Sequence, residues 1–397
     1  MKNSKKIILL AFVLFLFASS FCSCASNNSQ TQATTKPPTQ ETTKPTTQAT
    51  TVPQTTHSVE ENNSQKLDNI IKKMTIEEKV GQMFYVRCPD TEAVETVSKY
   101  HLGGYILFGR DFNGKTKKQI TDEIKNYQSA AQIPLLIGVD EEGGTVVRVS
   151  SNPNLRNEPF LSPSDTYAQG GWYAIEQDAA EKADLLLSLG INVNMAPNCD
   201  ITSDPDAFMY YRSFSPNVDY ECKFVKTIVE ISKAKKLGTV LKHFPGYGNN
   251  EDTHTGIAYD NREYSEFEAA DFKPFKTGID SGADCILVSH NIVDCMDSKY
   301  PASLSSNVHN IIRNELGFNG VIMTDDLAMS AITEYTGTDS AAVFAAKCGN
   351  DILCCSDVDV QYPAVLQAVQ NGEISKRQID QSVKRILKWK QDIGLIE

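Results

Sequence analysis

The segment 242-KHFPGYGNNEDTHTG-256 holds two of the six histidines in the chain, His243 and His254. Its glycines and Pro245 exclude a regular helix. Asp252 and His254 stand two apart within it. A carboxylate beside an imidazole raises the ring's pKa from its usual ~6.5 and fixes its tautomer. Such a pair can give a proton to a leaving oxygen and take one from water near neutral pH. Further polar residues close short apolar runs: Asp140, Asp200, Lys242 with His243, His290, and Asp325 with Asp326. Singly, each has a bland account. An Asp after a strand caps a helix or a turn, and a His in a strand is a satisfied core residue. Caps alone do not explain their recurrence at the ends of five runs. No HExxH or other metal spacing accompanies them, and G-x-S-x-G is absent, so no metal or other cofactor is expected. Carboxylates and an acid/base group flanking one bond are the pattern of glycoside hydrolysis.

These residues need elements to position them. Eight apolar runs are expected as strands: 82–88, 104–108, 134–140, 192–200, 239–244, 285–290, 321–326 and 351–355. Amphipathic stretches between them read as helices: 91–100, 115–131, 173–190, 220–238, 266–282, 307–317 and 340–349, with a last one at 376–394. Several end in a glycine expected as C-cap: Gly190, Gly238, Gly317 and Gly349. Buried runs alternating with helices mean parallel strands and crossover connections. Eight of them predict a (β/α)8 TIM barrel, and no G-x-G-x-x-G supports a dinucleotide-binding sheet. Residues 66–397 then form one catalytic domain. It exceeds the typical ~250 residues of a barrel, the excess lying in loops after strands three to six. Active sites of barrels lie at the C-terminal strand ends, where the polar residues fall.

The rest of the chain bounds the setting. Residues 1–24 read as an export signal: MKNSKK is a basic n-region and IILLAFVLFLFASSF an apolar h-region. The stretch is short for a membrane span of roughly 20 residues. Ser23-Cys24, with Phe21 upstream, has the pattern of a lipobox, which places a lipid on Cys24; plain secretion with cleavage nearby is the alternative. Residues 25–65 are rich in Thr, Pro and Gln and are expected as a disordered tether. The net charge is −12; without the signal's three lysines, 35 basic residues face 50 acidic ones. That balance argues against nucleic acid as a partner. Eight cysteines follow the signal without CxxC or metal spacing. Export permits disulfides, and placement in apolar stretches favours buried thiols.

Five motifs carry a resemblance. KHFPGYGNNEDTHTG resembles the KHFPGHG…D-S-H motif of family 3 glycoside hydrolases, in their bacterial β-N-acetylglucosaminidase branch. Residues 138-GVDEEGGTVVRV-149, 190-GINVNMAPNCDI-201, YRSFS at 211–215 and 320-GVIMTDDLAMSAI-332 resemble further segments of that family in the same order. The resemblance implies that Asp325 is the nucleophile and that His254, paired with Asp252, is the acid/base. It implies that Asp140, Arg148, Arg212, Lys242 and His243 hold the sugar, with His243 gripping hydroxyls beside Lys242. Asp326 and His290 are read as structural. The loop of Asp252 and His254 is expected to move, bringing nucleophile and acid/base to the ~5–5.5 Å of retaining enzymes when closed.

The implied reaction removes terminal non-reducing β-linked N-acetylglucosamine, most often from peptidoglycan fragments. The implied protein is an extracytoplasmic monomer anchored to a membrane by lipid, with carbohydrate as its ligand. Three residues depart from the family pattern: Tyr247 for His, Thr145 for Arg and Glu141 for Gln. All three are expected at the rim of the site. The alternatives are a β-glucosidase or β-xylosidase of the same family, or a tethered sugar-binding lipoprotein without catalysis. The former usually carry a second domain with a carboxylate acid/base; the latter would have lost the nucleophile or dyad.

Overall fold

Each of the eight apolar runs contains a strand. In chain order these are β1 (Phe84–Arg87), β2 (Gly104–Leu107), β3 (Leu136–Val139), β4 (Val193–Asn194), β5 (Gly238–Phe244), β6 (Cys285–Val288), β7 (Val321–Thr324) and β8 (Leu353–Cys355). All pair in parallel in the order β8-β1-β2-β3-β4-β5-β6-β7. A bridge between Met323 and Ile352 closes the ring between β7 and β8. Thr324 N reaches Ile352 O at 3.2 Å, and Cys354 N reaches Thr324 Oγ1 at 3.1 Å. The architecture is the expected (β/α)8 barrel. This computed structural model describes the backbone of residues 54–250, 252–253, 256–336 and 341–397, with side chains from Asn63 onward. Cys24, the export leader, most of the tether and His254 lie outside the described residues.

The barrel interior is filled by large side chains against small ones. Tyr85 lies buried inside, and β2 and β3 make room for it with glycine. A Cβ on Gly138 would stand 1.7 Å from the Tyr85 hydroxyl, and one on Gly104 would stand 2.6 Å from its ring. Buried Leu136, Ile137, Val240 and Met323 belong to the cluster that joins the strands to the surrounding helices. A second cluster, with Phe244, Phe272 and Phe275, lies under the helices after β4, β5 and β6.

Helices start where side chains can satisfy the free N–H groups of the first turn. Thr75 and Glu78 form a capping box, as do Thr116 and Gln119; Ser162, Asn217, Ser305 and Ser375 cap others. Gly190, Gly317 and Gly349 take positive φ where their helices stop. Gly238 does not: its helix, Val218–Ala234, ends at Lys235, and Lys236 takes the positive φ. Gly238 instead opens β5, where a Cβ would stand 2.7 Å from Trp389 Nε1, so the glycine serves close packing rather than capping.

Other boundaries also differ. Helix Gln54–Lys73 takes in residues read as tether, beginning directly after Pro53 and burying Leu67 and Ile71, one turn apart. The helix expected from residue 173 starts at Pro163 and is interrupted at Gly170 and Gly171. The one expected over 266–282 is two, Tyr264–Ala269 and Phe272–Asp280. Helix Val358–Gln370 was not foreseen, because Pro363 lies inside it. Thr55–Glu397 forms one compact unit.

All eight cysteines after the signal are free thiols, five of them buried. No helix of the described residues is long and apolar enough to cross a membrane.

Candidate active site

The site grows from the loop that follows β3. Asp140, Glu141 and Glu142 stand in sequence there, and each carboxylate has a different task. Glu141 is fully buried and turns back on its own loop. It accepts hydrogen bonds from the backbone N–H groups of Arg148 (2.9 Å), Val149 (2.7 Å) and Ser150 (3.2 Å), and from the Ser150 hydroxyl. Asn194 of β4 fixes its backbone, accepting from Glu141 N at 3.0 Å and donating to Glu141 O at 3.1 Å. Glu141 therefore builds the loop from inside and is not the rim residue expected from its departure from the family pattern.

Glu142 is buried between two cations. Arg212 grips it with Nε at 3.0 Å and Nη2 at 2.7 Å, and Lys242 Nζ stands 2.6 Å from the same carboxylate. Burial alone would raise its pKa, but Arg212 and Lys242 outweigh burial and hold the carboxyl well below the usual range. Lys242 also donates to Asp140 Oδ1 at 2.6 Å. Its burial disfavours the charge, yet Asp140 and Glu142 keep its pKa above the ordinary lysine value. Paired charges of this kind can be buried because each ion has its counter-ion and hydrogen bonds.

A second chain of contacts starts at Asp200, after β4. This carboxylate is fully buried, accepting from Tyr247 N at 2.8 Å through Oδ1 and lying 2.7 Å from His243 Nδ1 through Oδ2. His243 Nε2 is 3.2 Å from Arg212 Nη2. Arginine can only donate, so Nε2 accepts and Nδ1 carries the proton shared with Asp200. His243 was expected to grip sugar hydroxyls; in the structure both ring nitrogens are engaged by protein. The links run Asp200, His243, Arg212, Glu142, Lys242, Asp140 across three adjacent strand ends. The Lys242–His243 peptide at the end of β5 is cis.

Arg148 is half-buried, its guanidinium 6.0 Å from the centre of the Phe108 ring, and its buried Nε has no hydrogen-bond partner among the described residues. At the end of β7, Asp325 is half-buried; its backbone N–H donates to Val288 O at 3.1 Å and its Oδ1 accepts from Asp326 N at 2.8 Å. Asp326 accepts from Ala328 N at 2.9 Å and from Ser356 Oγ at 2.5 Å, capping the turn after the strand. His290 is fully buried and contacts Ser303 Oγ at 2.8 Å and Asp326 O at 3.0 Å. Both have the structural contacts read for them.

Asp252 is half-buried on the loop after β5; the described residues stop at Thr253 and resume at Gly256. Tyr247, expected at the rim, is buried: its ring packs edge-on against His243 at 5.3 Å, and its hydroxyl bonds Thr253 Oγ1 at 2.5 Å. Burial, then the charge of Asp325, pushes the phenol's pKa up. Thr145 alone of the three departures is exposed. Sequence reasoning passed over Glu142 and set Asp200 aside. The signal for both was charge balance, since a buried lysine and arginine at strand ends require buried acids nearby. Among the described residues no group of three or more His, Cys, Asp or Glu is placed to hold a metal ion.

An eight-stranded parallel barrel with carboxylates and cations gathered at its C-terminal strand ends has the layout of a catalytic (β/α)8 barrel. The chain belongs to glycosyl hydrolase family 3, whose N-terminal domain matches residues 75–389. It is 32% identical over 330 residues to a beta-hexosaminidase A from Pseudoalteromonas piscicida, covering 75% of this chain and 55% of that one. It is 32% identical over 280 residues to a beta-hexosaminidase from Stenotrophomonas maltophilia (strain R551-3), covering 69% of this chain and 82% of that one. A solved family 3 beta-N-acetylglucosaminidase from Paenibacillus sp. str. FPU-7 superposes with a TM-score of 0.76 at 30% identity. That match covers 81% of this chain and 63% of the Paenibacillus one. The chain therefore spans less than two thirds of the Pseudoalteromonas and Paenibacillus proteins.

Proposed function

We propose that the protein is an exo-acting, retaining β-N-acetylglucosaminidase that removes terminal non-reducing N-acetylglucosamine, with peptidoglycan fragments as its source. The observation that carries this reading is the buried chain from Asp200 to Asp140 at the ends of β3 to β5, with the half-buried Asp325 at the end of β7 on the same rim of the barrel. A polar network of fixed donors and acceptors is what a sugar ring needs for orientation. In this reading Asp140, Lys242, Arg212 and Arg148 present groups to the sugar hydroxyls. His243 positions Arg212, and the unpartnered Nε of Arg148 gains an acceptor.

The chemistry follows in two steps. Asp325 attacks the anomeric carbon, a C–O bond forms, and the bond to the leaving oxygen breaks as His254 transfers its proton there. Water then adds to the anomeric carbon, His254 takes the water's proton, and the bond to Asp325 breaks. Asp252 holds the imidazole in its orientation and favours its charged form. Beta-hexosaminidase relatives at about this identity support the sugar assignment. The export signal and Thr-rich tether read in the sequence support action outside the cytoplasm, with the protein held by a lipid on Cys24.

The test is turnover of nitrophenyl glycosides. The parent should release nitrophenol from the β-N-acetylglucosaminide far faster than from the β-glucoside or β-xyloside, and Asp325→Asn should abolish release. Equal rates on the three sugars would overturn the sugar assignment; normal turnover by Asp325→Asn would overturn the nucleophile. Labelled palmitate should enter the parent and not Cys24→Ser, and incorporation into both would reject the anchor at that residue.

A further inference from the structure

Exposed aromatic surface is unevenly spread on this barrel. Among the described residues eight large hydrophobic side chains are exposed, and five of them, Leu161, Tyr173, Tyr210, Tyr211 and Tyr220, come from residues 161–173 and 210–220. These two segments are one surface, because they pack on each other through a shared aromatic cluster. Tyr167 meets Trp172 at 5.1 Å and Phe214 at 5.5 Å, and Trp172 meets Tyr220 at 5.7 Å. Solvent-exposed aromatic groups concentrated on one side of a protein mark a binding surface more often than chance scatter.

A cleft of about 430 Å³ opens in this surface, within the usual range for a small-molecule site. Tyr210 and Tyr211 line it, 38% and 66% exposed, with ring centres 5.2 Å apart and planes at 90°. Two aromatic faces thus meet at a right angle beside open space. Thr145, Ser162, Ser164, Thr202, Ser213 and Ser215 also line it; the Ser213 hydroxyl donates to Met209 O at 3.1 Å and that of Ser215 accepts from Asn217 N at 3.1 Å, each keeping further hydrogen-bonding capacity. The one carboxylate, Asp165, accepts from Ser162 Oγ at 2.6 Å as part of a helix cap. Among the described residues no lysine or arginine lines the cleft.

That composition selects a ligand class. Flat aromatic faces with hydroxyls around them suit a molecule that has an apolar C–H face and a hydroxylated edge. A sugar ring linked through equatorial β bonds has both. Without lysine or arginine the cleft offers phosphate, sulfate or carboxylate groups no cationic partner, which favours an uncharged ligand. The cleft shares the loop after β3 with the candidate catalytic centre through Gly144 and Thr145, but not its charged residues. Arg212 follows Tyr211 directly, but its guanidinium turns inward to Glu142, and none of Asp140, Lys242, His243 or Asp325 lines the cleft.

We propose that this cleft is a second carbohydrate-binding site, which seats an uncharged β-linked sugar chain on the rings of Tyr210 and Tyr211. It would hold a polymer or long oligosaccharide against the barrel while the catalytic centre works on chain ends. The proposal concerns binding and stands apart from which glycoside is cleaved. The experiment uses the full chain carrying Asp325→Asn, so that no probe is consumed, with and without Tyr210→Ala plus Tyr211→Ala. Retention on insoluble chitin and affinity for chitohexaose should fall about three- to tenfold for each ring removed. In the otherwise unmodified chain, Tyr211→Ala should release nitrophenol from its β-N-acetylglucosaminide at the parental rate. Tyr211 is two-thirds exposed, so its loss does not threaten folding. Unchanged chitin retention in the double variant overturns the proposal. So does competition by dextran sulfate equal to that by chitohexaose, or conversion of a parental dimer to monomer by Tyr211→Ala, which would make the surface a protein interface. Loss of nitrophenol release in the parent would instead count against the catalytic reading and leave the retention result intact.

Discussion

Lys390 offers a sharp quantitative test of the fold. It lies in the last turn of helix Lys376–Asp392, fully buried, with Nζ donating to Gln82 Oε1 at 2.7 Å. Gln82 in turn donates to the carbonyls of His101 and Leu102. Lys390 takes part in no ion pair with a described carboxylate, so burial alone pushes its pKa down from 10.5 to about 7. The folded-state pKa lies below the unfolded one, so between pH 7 and 10.5 the unfolded chain binds more protons. Stability from this group therefore rises with pH through that window, and the full penalty is present below about pH 7. Three and a half pKa units at about 1.4 kcal/mol each give a ceiling of about 5 kcal/mol. Lys390→Met removes that penalty and leaves Gln82 Oε1 unpaired, a cost of about 1–3 kcal/mol. The variant should therefore be about 2–4 kcal/mol more stable at pH 6, or about 3–6 °C higher in Tm for a unit of this size. The gain should vanish or reverse by pH 10. Thermal unfolding of both proteins, followed by circular dichroism from pH 6 to 10, measures the difference. A difference that does not change with pH, or a variant less stable at pH 6, would refute the reasoning.

Two further substitutions probe the site. Glu142→Gln keeps the shape and removes the charge that Arg212 and Lys242 share, so melting should show a loss of about 3–5 kcal/mol and sugar turnover should fall at least tenfold; a variant melting like the parent would show that Asp140 alone suffices for the two cations. Tyr247→Phe strips the hydroxyl bonded to Thr253 and should cost about 1–2 kcal/mol. It should also slow glycosides with poor leaving groups more than nitrophenyl glycosides, because Asp252 and His254 flank Thr253. An equal loss on both would separate Tyr247 from proton transfer.

The strand ends were legible because parallel barrel strands are buried on both faces and read as continuous apolar runs. Polar residues such as Asp140, Lys242 and Asp325 therefore stand out where each run stops. The helices were less legible. Pro363 breaks the sequence signature of a helix that is held by its buried face of Val358, Tyr362, Val365 and Val369, and Gly170-Gly171 hides the first two turns of another. Gly238 was misread because C-caps and close strand packing both call for glycine, and only the position of Trp389 decides between them. Glu141 and Tyr247 were placed at the rim because family departures invite a reading of altered specificity. Their partners, backbone N–H groups seven to nine residues on and the Thr253 hydroxyl, are fixed by how loops fold back. Glu142 was passed over because its meaning lies in Arg212, seventy residues away in sequence.

The acids and bases of the site also divide by origin. Asp140 and Glu142 follow β3 and Asp200 follows β4, whereas Lys242 and His243 end β5 and Arg212 lies in the connection between β4 and β5. Within the buried network, the boundary between the first four strands and the last four is thus an electrical seam, with its three carboxylates on one side, Lys242 and His243 on the other, and Arg212 in the connection that crosses it. Neither half barrel could keep its share of these charges dry alone, since buried ions without counter-ions are prohibitively costly. Completion of the ring and assembly of the candidate site are for this reason energetically coupled. A chain that has not joined its two halves has no site, and a defect in the site weakens the joint.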